Sequence, residues 1–190
     1  MNGFGFLALV LGVMLICGAG VSQDVQDDVS SAGLPDGDMD VDQTAEGIGR
    51  DFSARALQLL TSRNRQPSAA VDAYQRLSND EVLSLDASEE YPDLDNHGRF
   101  AARIAKALLT GGLDLNDTRN LMTRAASEYA DVFESMVKGA SGEEAAHGFI
   151  MKIKDLMQRD KVNSDVQSDV VSICGDYFRT LGDNLDTINS

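Results

Sequence analysis

Apolar residues recur at α-helical spacing from Thr44 almost to the C-terminus, so that each segment presents one apolar stripe. No stretch of comparable length alternates between apolar and polar residues, which is the pattern of a half-buried strand. Amphipathic helices joined by short connections fold back on their neighbours and bury their stripes together. The sequence therefore predicts an all-α fold, an antiparallel bundle of about five to six helices that forms a single domain over residues 44–190.

Cap and turn residues place the ends of these helices. The first stripe ends before Pro67, and Ser68 can cap the second helix. Ser78 and Glu81 have the spacing of a capping box and predict a further short helix, after which residues 86–98 form a loop. The later helices are predicted from Phe100 to the Gly111-Gly112 pair, from Asn116 to Lys138, from the Ser141 and Glu144 capping box to Met157, and from Ser164 to Asn184.

The chain begins with an uncharged leader. Residues 1–22 carry no charged side chain, and the apolar run from Phe4 to Cys17 has the length of a signal-peptide core. Small residues precede Gln23, as they do at a cleavage site. We predict a cleaved signal peptide over residues 1–22 and a secreted, extracellular protein. Because no basic residue precedes the apolar run and the leader is long enough to cross a bilayer, an uncleaved anchor is the alternative.

The rest of the chain is strongly acidic, with a net charge of −15 to which the leader contributes nothing. Phosphate backbones and anionic lipids repel such a chain, so we expect no nucleic-acid partner and, after signal cleavage, no membrane partner. Residues 23–43 hold seven aspartates, no basic residue and few apolar groups, which predicts a disordered acidic spacer or propeptide. The alternating aspartates from Asp36 to Asp40 lack the glycine and glutamate of an EF-hand loop, so we expect at most weak divalent cation binding there.

Cys174 is the only cysteine that remains after the signal peptide is removed. It cannot form an intramolecular disulfide, and an unpaired cysteine in an oxidising compartment indicates an intermolecular disulfide or a reactive thiol. Its apolar neighbours favour a different role, that of a small buried core residue. Both alternatives stay open, a buried thiol and a disulfide that links two copies of the chain.

A glycosylation sequon runs from Asn116 to Thr118. In a eukaryotic secretory pathway Asn116 could carry an N-linked glycan. Asp114, Asn116 and Asp117 are also good helix N-cap residues directly after the Gly-Gly break. The two roles are compatible, and we expect the cap.

No group of residues has the spacing of a catalytic, metal or cofactor site. The two histidines are isolated, His97 in the predicted loop and His147 on a polar flank of a helix, and no cysteine is available to complete a zinc site with them. His97 follows Asp93 and Asp95 and could titrate near neutral pH, although a solvated loop histidine is the more common case. No serine lies in a nucleophile elbow, and the glycine pairs fit helix stops better than phosphate loops. We predict that the protein is not an enzyme.

A series of short motifs covers residues 98–157 and resembles a known family. The pieces are Phe100-Ala101, Gly111-Gly112-Leu113, Phe133, and Phe149 with Ile153 and Leu156. They resemble the non-repetitive N-terminal domain of spider silk proteins, the spidroins. The resemblance implies a related bundle, since that domain is a secreted, acidic five-helix bundle that dimerises as pH falls. Lys106 and Lys152 occupy the positions of two pH-sensing glutamates, the chain has no Trp and no silk repeat, and an extra helix carries Cys174, so the family's pH switch does not follow.

Together these features predict a secreted, non-enzymatic helical bundle that acts by self-association or by binding a protein partner. A structural or assembly role in an extracellular material such as silk is the specific expectation. Neighbouring carboxylates raise one another's pKa, so acidification would relieve repulsion and favour self-association. One alternative is a carrier of a small apolar ligand, bound in a pocket lined by Met122, Met136, Met151 and Met157. Another is a secreted effector or toxin-like protein.

Overall fold

Six helices make up the described part of the chain, and they form a bundle. The computed structural model describes residues 40–63, 68–80, 83 and 90–189, with the backbone alone for residues 186–189. Over these residues it contains no strand, so the predicted all-α class is confirmed. The helices are α1 (Val41–Arg63), α2 (Ala69–Ser78), α3 (Asn96–Thr110), α4 (Leu115–Val137), α5 (Gly142–Arg159) and α6 (Ser164–Asn189). The predicted signal peptide and most of the acidic spacer lie outside the described residues.

Helix α1 begins inside the predicted acidic spacer. The carboxylate of Asp40 accepts hydrogen bonds from the backbone N–H groups of Asp42 and Gln43, each at 3.1 Å. These contacts satisfy N–H groups that have no partner within the first turn of a helix. The helical part of the chain therefore begins before Thr44, where apolar spacing alone placed it.

Side-chain caps also begin the other five helices. Ser68 accepts from the N–H of Val71, and Ser141 forms the predicted capping box with Glu144. For α4 the cap is Asp114, which accepts from the N–H of Asp117. The further capping box predicted at Ser78 is wrong: Ser78 is the last residue of α2, and its hydroxyl donates to the carbonyl of Tyr74. Its predicted partner, Glu81, lies outside the described residues.

Close contacts between glycines hold two pairs of helices together. Helix α1 packs mainly on α3 and α4, while α5 packs on α4 and α6, and α3 also packs on α6. At the α5–α6 contact, a Cβ atom built on Gly182 would lie 2.8 Å from the Cα of Gly142. At the α1–α3 contact, a Cβ atom on Gly49 would collide with the carbonyl oxygen of Gly98. The absence of side chains at these positions brings the helix backbones close enough to enclose an aromatic core.

That core is rich in aromatic rings contributed by every helix. The rings of Phe100 and Tyr177 stack with centroids 4.0 Å apart, and Phe149 packs on Phe178 at 5.1 Å. None of the described helices has the length and apolar character needed to cross a membrane. The buried aromatic residues of the described chain are Phe52, Tyr74, Tyr91, Phe100, Tyr129, Phe133, Phe149, Tyr177 and Phe178.

Candidate functional site

His97 lies in the first turn of α3, with 0% of its surface exposed. The prediction of a solvated loop histidine is therefore wrong. Helix α3 begins earlier than the loop prediction allowed, because Asp95 caps it by accepting from the N–H of Gly98 at 2.6 Å. Tyr91 and Leu94, in the preceding segment, are buried and hold that segment against the bundle. His97 therefore lies in the protein interior.

Both nitrogens of the His97 ring have partners. Nε2 lies 3.1 Å from the carbonyl oxygen of Tyr74, which can only accept, so Nε2 carries the ring proton. Nδ1 lies 2.7 Å from the hydroxyl of Tyr177 and 2.8 Å from that of Tyr129. The two hydroxyls are themselves 2.8 Å apart. A neutral ring with its proton on Nε2 therefore accepts from one tyrosine, and the other tyrosine donates to its neighbour's oxygen.

The same residues extend to α1 through a second set of hydrogen bonds. The ring of Tyr74 stacks on His97 with centroids 3.8 Å apart. The hydroxyl of Tyr74 donates to the carbonyl of Ser53, and its oxygen lies 3.0 Å from the Ser53 hydroxyl. Ser53 in turn donates to the carboxylate of Asp95 at 2.6 Å. We call Ser53, Tyr74, Asp95, His97, Tyr129 and Tyr177 the His97 network; its members come from α1, α2, α3 with its cap, α4 and α6.

Burial keeps the histidine and the three tyrosines of this network neutral. It lowers the pKa of His97 from 6.5 to about 4, an effect that the Asp95 carboxylate only partly opposes. Burial likewise raises the pKa values of Tyr74, Tyr129 and Tyr177 well above their ordinary value. At neutral pH, His97 and the three tyrosines are therefore neutral.

The connections within the network do not form a catalytic triad. Ser53, His97 and Asp95 are the residue types of a hydrolase triad, but the order of contacts differs, since Ser53 bonds directly to Asp95 and His97 bonds to tyrosines. A triad needs the histidine between the serine and the carboxylate. A surface cleft of about 220 Å³ reaches Ser53 and Asp95, but His97 does not line it. The network therefore joins helices and does not place His97 as a base beside Ser53.

The sequence contains a signal for this network. Tyr74, Tyr129 and Tyr177 all fall on predicted apolar stripes, and a buried hydroxyl needs a hydrogen-bond partner. The partner of the hydroxyls of Tyr129 and Tyr177 is His97. The predicted loop over residues 86–98 places His97 in solvent, so the apolar stripes alone do not identify this partner.

Cys174 is buried in α6, and burial raises the pKa of its thiol. The thiolate is the reactive form, so a buried thiol with a raised pKa reacts slowly. Of the two alternatives for Cys174, the folded chain has the buried thiol. A disulfide between two copies stays a prediction, and it would require α6 to expose Cys174.

Asn116 is exposed in the first turn of α4, where the cap is Asp114. Thr118, the third residue of the sequon, is fully buried. Glycosylation of Asn116 stays a prediction, and it would have to occur before α4 packs.

The other candidate metal-binding and ligand-binding residues do not form a common site. His147 is exposed on α5, and across the described ranges no group of three or more His, Cys, Asp or Glu residues could hold a metal ion. Met122, Met136 and Met157 are buried in the core, whereas Met151 is exposed, so the four do not line one pocket. The segment predicted to bind divalent cations lies almost wholly outside the described residues.

Most of the residues that carry the spidroin resemblance lie in the core, whereas Gly111 and Gly112 are exposed. Phe100, Phe133, Phe149 and Ile153 are buried, as apolar stripe residues of any helical bundle would be. Compared with known proteins, the chain matches no family model, no curated protein and no solved structure. The resemblance therefore stays a prediction.

Proposed function

We propose that this protein is a secreted, non-enzymatic helical bundle that acts by self-association or by binding a protein partner. The observation that carries the proposal is the enclosure of His97, whose ring nitrogens have partners inside the core. The imidazole of His97 thus joins helices and is not exposed to a substrate. The surface, with its excess of carboxylates, is left for recognition, and such charge governs partner choice and association rate.

The specific role we propose is a structural or assembly component of an extracellular material. The charge-free leader supports export and cleavage before Gln23, and the spidroin resemblance of residues 98–157 supports both antiparallel helix packing and a material role. Because Cys174 is buried, the proposed role does not rely on an intermolecular disulfide.

Light scattering on the mature chain, beginning at Gln23, tests the proposal. The mass is measured at about pH 7.5 and about pH 5.5, with and without reductant, where acidification progressively lowers the negative charge. We expect a mass above that of the monomer in at least one condition, and no effect of reductant. A monomer in all four conditions would overturn self-association.

A groove between α3 and α6 supports a second candidate, a carrier of a small apolar ligand. Its volume is about 390 Å³, within the range of small-molecule sites, and half-buried Ala107, Val166 and Ile173 form its apolar wall. Native mass spectrometry of the protein recovered from secreting cells tests this role. A bound molecule released by denaturation would support it, and an unliganded mass would count against it.

A further inference from the structure

A hollow between α1 and α4 combines an apolar floor with charged walls. Its volume is about 140 Å³. The buried side chains of Ile48, Phe52 and Met122 form the floor. The exposed walls are Asp51, Arg55, Arg119 and Thr123.

The two arginines of this hollow have no carboxylate partner among the described residues, although the chain holds 31 acidic and 16 basic residues. Arg55 donates to the side-chain oxygen of Gln58 at 2.9 Å, and Asp51 is not paired with either arginine. Within the described ranges, the basic residues that do form ion pairs are Arg50, Arg63, Lys106, Arg124, Lys138, Lys152 and Arg179.

We infer that this hollow binds a carboxylate side chain from a second copy of the chain, an inference that rests on the proposed self-association. Two acidic chains repel each other at long range, so their contact needs a place where an opposite charge is unpaired. Arg55 and Arg119 supply two guanidinium groups, which bind carboxylates through paired N–H donors. The floor of Phe52 and Met122 accepts the methylene groups of the entering acid and excludes water from the contact.

Three variants test this site by analytical ultracentrifugation, in the condition where the wild type associates most. The site variant is R55Q/R119Q, which should raise the dissociation constant at least about tenfold, because hydrogen bonds to charged groups are the strong ones. The control R76Q/R159Q changes the net charge equally but at exposed residues outside the hollow, on α2 and α5. It should stay close to the wild type.

The third variant, Asp51→Asn, removes a negative charge from the wall of the hollow and should tighten association. If R55Q/R119Q does not fold, as judged by circular dichroism, the association of Asp51→Asn alone still tests the site. A monomeric wild type would overturn the proposed function. Association that is equal in R55Q/R119Q and R76Q/R159Q, or that does not tighten in Asp51→Asn, would overturn the site and leave self-association intact.

Discussion

The hydroxyl of Tyr177 lies 2.7 Å from Nδ1 of His97, although the two residues are 80 positions apart in the sequence. This contact joins α6 to α3 in the middle of the aromatic core. A buried polar group without a partner destabilises a protein, whereas a satisfied network also specifies which helix faces meet. The position of α6 thus depends on a hydrogen bond as well as on apolar packing.

Acidification should destabilise the fold through His97. Its pKa is about 4 in the folded chain and near 6.5 when unfolded, so between these pH values the unfolded state binds more protons. The contribution to the free energy of unfolding is complete above about pH 6.5 and falls as the pH drops to about 4, by about 3 kcal/mol in total. Urea unfolding across this range measures it.

The control for that experiment is His97→Gln, which cannot titrate. The variant should be less stable at neutral pH, and its stability should decline less than that of the wild type between about pH 6.5 and 4. Parallel curves for the two proteins would show that His97 is not the group responsible.

Removing the hydroxyl of Tyr177 should cost stability, whereas removing that of Tyr91 should not. Tyr177→Phe deletes hydrogen bonds to His97 and Tyr129 and should lower the free energy of unfolding by about 1 to 2 kcal/mol. The hydroxyl of Tyr91 is also buried, but it makes no hydrogen bond of normal geometry within the described part of the chain. Tyr91→Phe should therefore be neutral or stabilising. Equal losses in thermal denaturation would refute the special role of Tyr177.

The two glycines of the α5–α6 contact should not tolerate alanine. In Gly182→Ala the new Cβ would lie 2.8 Å from the Cα of Gly142, and because both atoms belong to backbones the helices must separate, at a cost of about 1 to 3 kcal/mol. Gly175 lies in the same helix with nothing within 4 Å of its added Cβ. Gly175→Ala should stabilise the protein by up to about 1 kcal/mol, since alanine favours helix more than glycine. Similar melting temperatures for the two variants would be inconsistent with this packing.

Cys174 should resist thiol reagents in the folded protein. Its side chain has no exposed surface, and burial raises its pKa, so labelling must wait for opening of the bundle. We expect no labelling by iodoacetamide without denaturant and complete labelling in urea. Rapid labelling of the native chain would show that Cys174 is accessible and would support an intermolecular disulfide.

The sequence predicted the helices better than the contacts between them. Apolar spacing reports which face of each helix is buried, and the caps at Ser68 and Ser141 were readable because they are local. The prediction for His97 was wrong because Asp95 caps α3, so the helix begins at Asn96 and includes His97. Its pairing with Tyr129 and Tyr177 depends on how distant helices meet, and no spacing within one helix carries that information.

His97 is enclosed in the core as a neutral ring, with its ring proton on Nε2. Nitrogen NMR of the His97 ring, recorded from about pH 7 to about pH 5, tests this most directly, because the shifts distinguish the two neutral tautomers from the charged ring. We expect a protonated Nε2 and an unprotonated Nδ1, with little change across the range. A ring whose pKa lies near the ordinary value of 6.5 would show that His97 is accessible to solvent and not enclosed in the core.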